Sequence, residues 1–459
     1  MLASTSVAPD LSALKGLSLD EKSAALIVGL GKTGYSIARF MAAQGIRFAV
    51  TDTREVPPFI NELREEFPDA AVFLGGFQRS SFEAATHLIV SPGVSLNEPL
   101  IQLAARRGIP VIGDLDLFAN MVRAPVLAIT GSNGKSTVTT LVGLMAEADG
   151  RKTRVGGNLG TPMLDLLDDE VELYVLELSS FQLESSHVLA PIAATVLNIT
   201  PDHMDRYADL QAYAEAKRRI FNGSGLMVLN RDDPMVADMS LTGRNMVWFG
   251  LEGKDNDYAV RVLDGEEWLV CHNEPVMPRR DVRLHGRHNL ANALAALALG
   301  DAAGLSHPAM VDTLKSFAGL DHRAQWVGDL GGVTWINDSK ATNVGACMAA
   351  LAGMEQPVVL IAGGDGKGAD FSVLRPVVKE KVKALVLMGR DAPLMQSALE
   401  DLVTTVCVAN MAEAVNAASA LATQGDAVLL APACASLDQY KDYQERGRVF
   451  GEEVRRLAR

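Results

Sequence analysis

The stretch at residues 124–140, APVLAITGSNGKSTVTT, restricts what the chain can fold into more than any other part of it. VLAIT (126–130) is a short continuous apolar run of the kind that forms a strand buried on both faces. It leads straight into Gly131-Ser-Asn133-Gly134, and Lys135, Ser136 and Thr137 open a helical stretch. A strand, a glycine turn and a helix start, in that order, gather backbone N–H groups into a concavity at the positive end of a helix dipole. Lys135 adds a full charge for the β- and γ-phosphates, and the Ser136 hydroxyl is a ligand type for Mg²⁺. The usual spacing wants a glycine where Ile129 stands, so the loop is a shortened variant. It reads as an ATP site.

The same punctuation recurs on both sides. AALIV (24–28) runs into Gly29-Leu-Gly31-Lys32-Thr33-Gly34, then a helix (35–44) and a strand (48–51) ending at Asp52. This is the dinucleotide fingerprint, with Asp52 expected near a ribose, although any diphosphate fits the same turn. Further strand-like runs at 72–74, 87–90 and 111–112 alternate with helical stretches, and Ser91-Pro-Gly93 follows one of them directly. The pattern restarts before the phosphate loop, which places a boundary near residue 114. In the second segment a strand (173–178) delivers Glu177, and another (194–199) ends in Thr200-Pro-Asp202-His203-Met-Asp205-Arg206. A carboxylate at the end of a strand beside a phosphate loop is placed to hold Mg²⁺. Lys217, on a helix at 210–221, has by spacing alone the look of an ordinary surface lysine. Residues 247–272 suggest a small β excursion packed on this core, and an Ala/Leu helix with Asn289 and Asn292 on one face follows. The third segment starts after Gly319 and places Lys340, Lys367 and Ser436 just beyond predicted strands, a pocket for an anionic small molecule. The fold class is therefore α/β with three domains: a Rossmann-like doubly wound sheet (1–113), a central P-loop ATPase-type domain (114–319) and a Rossmann-like C-terminal domain (320–459).

The net charge of -14 argues against a nucleic-acid backbone as partner. Four dispersed cysteines show no metal or disulfide spacing and read as reduced thiols in a cytoplasmic protein. Residues 1–16 lack the pattern of a signal peptide, and no apolar run is long enough to cross a bilayer, so no membrane insertion is expected.

Eight segments together carry a resemblance to a known family: TGSNGKST (130–137), ELSSFQLE (177–184), NITPDHMDRY (198–207), GRHNLANAL (286–294), DHR (321–323), NDSKATN (337–343), GGDGKGADF (363–371) and PACASLDQY (432–440). In this order they resemble the Mur ligase family, and the likeness covers the whole chain. It implies an ATP-dependent amide ligase working through an acyl phosphate, and the last three segments point to D-glutamate joining UDP-N-acetylmuramoyl-L-alanine, in a monomer. By resemblance, Gly131, Asn133, Gly134, Lys135, Ser136 and Thr137 hold the phosphates, Asn289 and Asn292 the adenine, and Arg323 and Asp338 close over the nucleotide. Ser136 and Glu177 would hold one Mg²⁺, and His203 with a carbamylated Lys217 a second, with Lys135, His203 and Lys217 as catalytic groups. Gly31, Lys32, Thr33, Thr53, Arg54, Ser91 and Gly93 would bind UDP, and Asn158 the muramoyl end. Lys340, Thr342, Lys367, Ser436, Leu437 and Tyr443 would form the amino-acid pocket, with Tyr443 standing where a phenylalanine is common.

Other readings remain open at this stage. A sibling ligase adding another amino acid shares most of these segments. A nicotinamide-dependent oxidoreductase would account for residues 29–52 and leave the phosphate loop without a purpose. A P-loop protein that uses ATP only for switching would turn over nucleotide without an acceptor.

Overall fold

The computed structural model describes residues 16–457 apart from 187, 205, 253, 254 and 285, so the N-terminal stretch read above and Asp205 lie outside the described residues. Three sheets follow one another along the chain. The first comprises β1 (Ala24–Val28), β2 (Arg47–Thr51), β3 (Ala71–Phe73), β4 (His87–Val90) and β5 (Val111–Ile112). Its order is β3-β2-β1-β4-β5 and every pairing is parallel. The order reverses between β1 and β4, so a crevice opens at their carboxyl ends, where the Gly29–Gly34 turn and Ser91 lie. The helix Lys32–Ala43 begins inside that turn, three residues earlier than its apolar pattern suggests. Gly34 is packed so closely that a Cβ there would sit 2.0 Å from the Gly29 carbonyl oxygen.

The second sheet holds β6 (Val126–Thr130), β7 (Thr153–Gly157), β8 (Leu173–Glu177), β9 (Ala193–Val196), β10 (Leu226–Asn230), β11 (Met246–Gly250), β12 (Tyr258–Leu263), β13 (Glu266–Cys271) and β14 (Glu274–Pro278). The order is β14-β13-β12-β11-β10-β9-β6-β8-β7. The phosphate-loop strand β6 therefore lies between β8, which ends in Glu177, and β9, which leads to His203. Residues 247–272 do not form a separate excursion: β11 and β12 pair in parallel, and β13 and β14 extend the same sheet antiparallel. The helices Lys135–Ala148 and Arg287–Ala302 pack one face of this sheet, the second buried along almost its whole length. The other face shares one apolar cluster with the first sheet, running from Ile27, Ile37 and Phe118 to Tyr174, Leu176 and Tyr213. A continuous apolar seam makes the first two domains one packed unit.

The third sheet is β15 (Gln325–Leu330), β16 (Val333–Asn337), β17 (Val358–Ala362), β18 (Val382–Leu387), β19 (Thr404–Cys407) and β20 (Ala427–Leu430), in the order β15-β16-β20-β17-β18-β19. β15 is antiparallel to β16 and the rest are parallel. With β20 between β16 and β17, the turns bearing Lys340, Ser436 and Lys367 come from three adjacent strands. The C-terminal helix Tyr443–Leu457 buries Phe450 and Val454 in the core under this sheet.

Candidate active site

The phosphate loop is built by its neighbours as much as by its own glycines. Gly134 has φ +84 and Gly131 has φ +147, conformations that side chains rarely adopt. Ser132 and Asn133 are tied to the end of β9: Ser132 N–H donates to the Asn198 carbonyl (2.9 Å), and Asn133 N–H to Asn198 Oδ1 (2.8 Å). Asn133 Nδ2 donates to Thr200 Oγ1 (3.3 Å), so this side chain supports the loop from behind. Lys135 Nζ donates to the carbonyls of Gly131 and Ser132, both at 2.8 Å, folding back over the loop it is expected to serve. Burial lowers its pKa, while Glu177 and Asp202 pull the other way. The helix Lys135–Ala148 has no side-chain cap at its N-terminus, which leaves its first N–H groups for a ligand.

Around this loop are the groups read as metal or catalytic residues. Glu177 is buried: its Oε1 accepts from Asn158 Nδ2 (2.6 Å), and its Oε2 has no hydrogen-bond partner. Asn158 thus meets the Glu177 carboxylate directly. Lys217 lies 1% exposed on its helix, far from the surface position its spacing suggests. Its Nζ reaches Thr130 Oγ1 (3.3 Å) and stands over the Tyr213 ring (4.6 Å). Burial first, then the Lys135 charge, holds its pKa well below the ordinary lysine value. His203, at φ +57, packs edge-on against Phe181 (4.8 Å) and has Nε2 3.7 Å from Asp202. Among the described residues no group of three or more His, Cys, Asp or Glu is placed to hold a metal ion. The available donor set is instead the orphaned Glu177 oxygen and hydroxyls such as Ser136, hard oxygen ligands of the type Mg²⁺ prefers.

The third domain reaches into the same place. Arg323 Nη2 donates to Ser136 Oγ at 2.7 Å, across the boundary between the second and third sheets. Asn343 Nδ2 donates to Asp202 Oδ2 (3.1 Å), and Lys367 Nζ lies 4.0 Å from Asp202 Oδ1. Asp202 is therefore a second latch between the two domains, beside the Arg323–Ser136 contact. A cavity of about 300 Å³ separates them, lined by Gly134, Thr137, Asn289, Asn292, Asp338 and Lys340 among others. Asn292 Nδ2 donates to Asn289 Oδ1 (3.1 Å), and a Cβ on Gly134 would meet Asn292 Oδ1 at 2.5 Å, so the asparagine pair and the loop are in contact. Asp338 is pushed up to about 6 by burial, against the pull of Arg323. Lys340 is pulled down to about 8 by burial and by Arg323 and Lys135, with its Nζ 4.2 Å above the Tyr443 ring. Ser436 is buried, Thr342 half-buried, and Leu437 stands 70% exposed at the rim.

The first domain attaches through its own set of contacts. Lys32 Nζ donates to the Gly160 carbonyl (2.6 Å), and Arg39 pairs with Asp165 (2.7 Å), both across to the second domain. Arg206 donates to the carbonyls of Pro92 and Val94, fixing the turn that contains Gly93. Asp52 corrects the fingerprint reading. Its oxygens accept from Leu30 N–H, Arg54 N–H and the Arg54 guanidinium, so it braces the turn and is committed before any ribose arrives. Ser91 likewise donates its hydroxyl to the Gly29 carbonyl (2.8 Å). Gly31, Lys32, Thr33, Thr53 and Gly93 remain at least partly exposed along this edge.

Three family models match the chain in sequence: the Mur ligase MurD-like N-terminal domain over 23–113, the Mur ligase middle domain over 129–300, and the Mur ligase glutamate ligase domain over 322–434. A curated UDP-N-acetylmuramoylalanine–D-glutamate ligase of Methylococcus capsulatus is 62% identical over 443 residues, 96% of each chain. The chain belongs to the Mur ligase family. The ligase of the same name from Pseudomonas putida is 51% identical over 94% of this chain and 97% of its own. Among solved structures, a pseudomurein peptide ligase type C from Methanothermus fervidus (TM-score 0.62) and UDP-N-acetylmuramate-alanine ligase MurC from Thermotoga maritima (TM-score 0.59) share the fold. Each is 18% identical and is matched over 95% of this chain and 100% of its own. As a Mur ligase the chain is an ATP-dependent enzyme with a three-domain α/β fold. Sequence reasoning placed Asp202 and Arg206 in a polar cluster beyond a strand without seeing that they act as latches, and did not single out Asn343. The signal for them was present in the polar runs NITPDHMDRY and NDSKATN, but nothing in one sequence says that two such runs touch.

Proposed function

We propose that this Mur ligase joins D-glutamate to UDP-N-acetylmuramoyl-L-alanine in the synthesis of a peptidoglycan precursor, using ATP. The observation that carries the reading is the full-length likeness to relatives named as D-glutamate ligases, on a fold in which loops of the second domain meet those of the first and of the third, with a cleft between the second and third domains. We divide the chain at 113/114 and 319/320, with the UDP moiety at Gly31–Thr33, Thr53, Arg54, Ser91 and Gly93. ATP lies on residues 131–137 with Asn289, Asn292, Arg323 and Asp338 around it. The incoming amino acid meets Lys340, Thr342, Lys367, Ser436, Leu437 and Tyr443. We read the enzyme as a monomer, and both nucleotide substrates are intracellular, which supports a cytoplasmic enzyme.

The chemistry follows from charge. A carboxylate is a poor acyl donor, and transfer of the γ-phosphoryl group to it creates a mixed anhydride with phosphate as leaving group. The amine then attacks the acyl carbon, and the tetrahedral intermediate collapses with loss of phosphate. Negative charge gathers at each stage, and Lys135, Arg323 and the helix N-terminus stand ready to meet it. For Lys135 this means exchanging the carbonyls of Gly131 and Ser132 for phosphate oxygens. Arg323 likewise gives up Ser136 Oγ, which frees that hydroxyl as a ligand. Mg²⁺ would be held by Ser136 and Glu177, with His203 and Lys217 at a second position, and would supply Lewis-acid neutralisation of the phosphate oxygens. Lys217 suits this role only as a carbamate, which forms when its neutral amine adds CO₂ and releases a proton. A buried lysine with a hydroxyl and a ring as neighbours supports that reading.

Release of ADP on an acceptor panel tests the proposal. Turnover is expected with UDP-N-acetylmuramoyl-L-alanine and D-glutamate together, and with neither alone. Comparable rates with L-lysine, meso-diaminopimelate or D-Ala-D-Ala in place of D-glutamate would assign the chain to a sibling reaction.

A further inference from the structure

Arg446, on the C-terminal helix, is 2% exposed. Its Nε donates to Ser339 Oγ (3.0 Å) and its Nη2 to the Ser339 carbonyl (2.8 Å). Nη1 and Nη2 both donate to the Cys434 carbonyl (3.1 Å each). Every one of these acceptors is uncharged, and among the described residues Arg446 has no ion-pair partner. Burial lowers its pKa only to about 10, so it stays protonated at neutral pH. The Asp438 carboxylate favours its charged form without pairing with it directly; a buried charge held by uncharged acceptors is still costly, and a fold that keeps one needs a reason for it.

The acceptors supply that reason. Ser339 immediately precedes Lys340 at the end of β16, and Cys434 lies two residues before Ser436 beyond β20. The same helix turn carries Tyr443, whose carbonyl accepts from Ser339 Oγ (2.8 Å) and whose ring lies under Lys340 Nζ. One residue beyond Arg446, the Gly447 carbonyl accepts from Asn337 Nδ2 (2.9 Å). A single helical turn thus clamps the two strand ends that carry the proposed acceptor pocket.

We propose that Arg446 is a positioning residue for the acceptor: it fixes the Ser339–Lys340 turn against the Cys434–Ser436 turn, and so sets the spacing of Lys340 and Ser436. This rests on the reading of Lys340 and Ser436 as acceptor-binding residues. A fork of donors spanning two turns sets their spacing, which a lysine cannot reproduce, whereas the positive charge itself survives an Arg-to-Lys exchange.

Steady-state kinetics of R446M and R446K, with the wild-type enzyme alongside, test the inference. R446M is expected to raise KM for D-glutamate by about tenfold or more, the size of losing a charged hydrogen-bonding group, with KM for ATP within about twofold. R446K is expected to recover part of that loss. A uniform change in every kinetic constant, with R446K no better than R446M, would reduce Arg446 to a structural support and overturn the inference, as would an unchanged KM for D-glutamate. Should R446M fail to fold, R446K carries the test: a smaller rise confined to D-glutamate supports the inference, and a uniform loss refutes it. Failure of the underlying reading is seen separately, in a wild-type enzyme that does not use D-glutamate.

Discussion

Lys340 is a functional group that the fold accommodates at a cost, and the cost can be worked out. Burial, reinforced by the charges of Arg323 and Lys135, draws its pKa from the ordinary 10.5 to about 8. At about 1.4 kcal/mol per unit, a fall of that size is about 3 kcal/mol of folding free energy. The contact over the Tyr443 ring offsets about 1 kcal/mol of it. Lys340→Met keeps a flexible apolar stem and removes the charge, so it is expected to stabilise the protein by about 2 kcal/mol at pH 7 while abolishing ligation. The folded-state pKa lies below the unfolded one, so the penalty is fully present below about pH 8. It shrinks as pH rises toward about 10.4 and is gone above that, because the lysine is then neutral in both states. Urea unfolding of wild type and variant at pH 7 and pH 10, compared at the transition of the third domain, reads the difference. A variant less stable than wild type at pH 7, or an advantage that grows toward pH 10, would refute the reasoning.

Two further perturbations probe the same cleft. Lys217→Ala is expected to lose turnover that high bicarbonate does not restore, and ¹³C-labelled bicarbonate should give a carbamate resonance in wild type that the variant lacks; an unimpaired variant would remove the carbamate from the mechanism. Arg323→Met loses the donor to Ser136 and a phosphate charge, so kcat/KM for ATP should fall by about 30-fold or more, with little change in melting temperature; a wild-type value would mean that the contact belongs to the unliganded chain alone.

Much of this architecture is legible in the sequence because parallel sheets announce themselves. Strands such as VLAIT and VVLIA are continuously apolar, and glycine turns and polar clusters follow them at the rim where ligands bind. What escaped was set by tertiary pairing. β7 carries two glycines and β19 two threonines at sheet edges, where the apolar run that marks a strand is absent. Lys217 shows no buried pattern because one lysine on an otherwise amphipathic helix looks solvated until Tyr213 and Thr130 are placed around it. Asp52 looked like a ligand for a ribose because its position at a strand end is right, yet Arg54, two residues on, takes its oxygens. Arg446 was unreadable for a related reason, since its partners belong to two turns that lie 12 and 107 residues earlier in the chain.

The route of one oxygen atom tests the account most directly. With both oxygens of the UDP-substrate carboxylate labelled with ¹⁸O, phosphoryl transfer to that carboxylate followed by attack of the amine carries one label into the released inorganic phosphate. Mass spectrometry of that phosphate is expected to find it singly labelled in step with ADP formation. Unlabelled phosphate, or AMP with pyrophosphate as products, would contradict an acyl phosphate formed in this cleft.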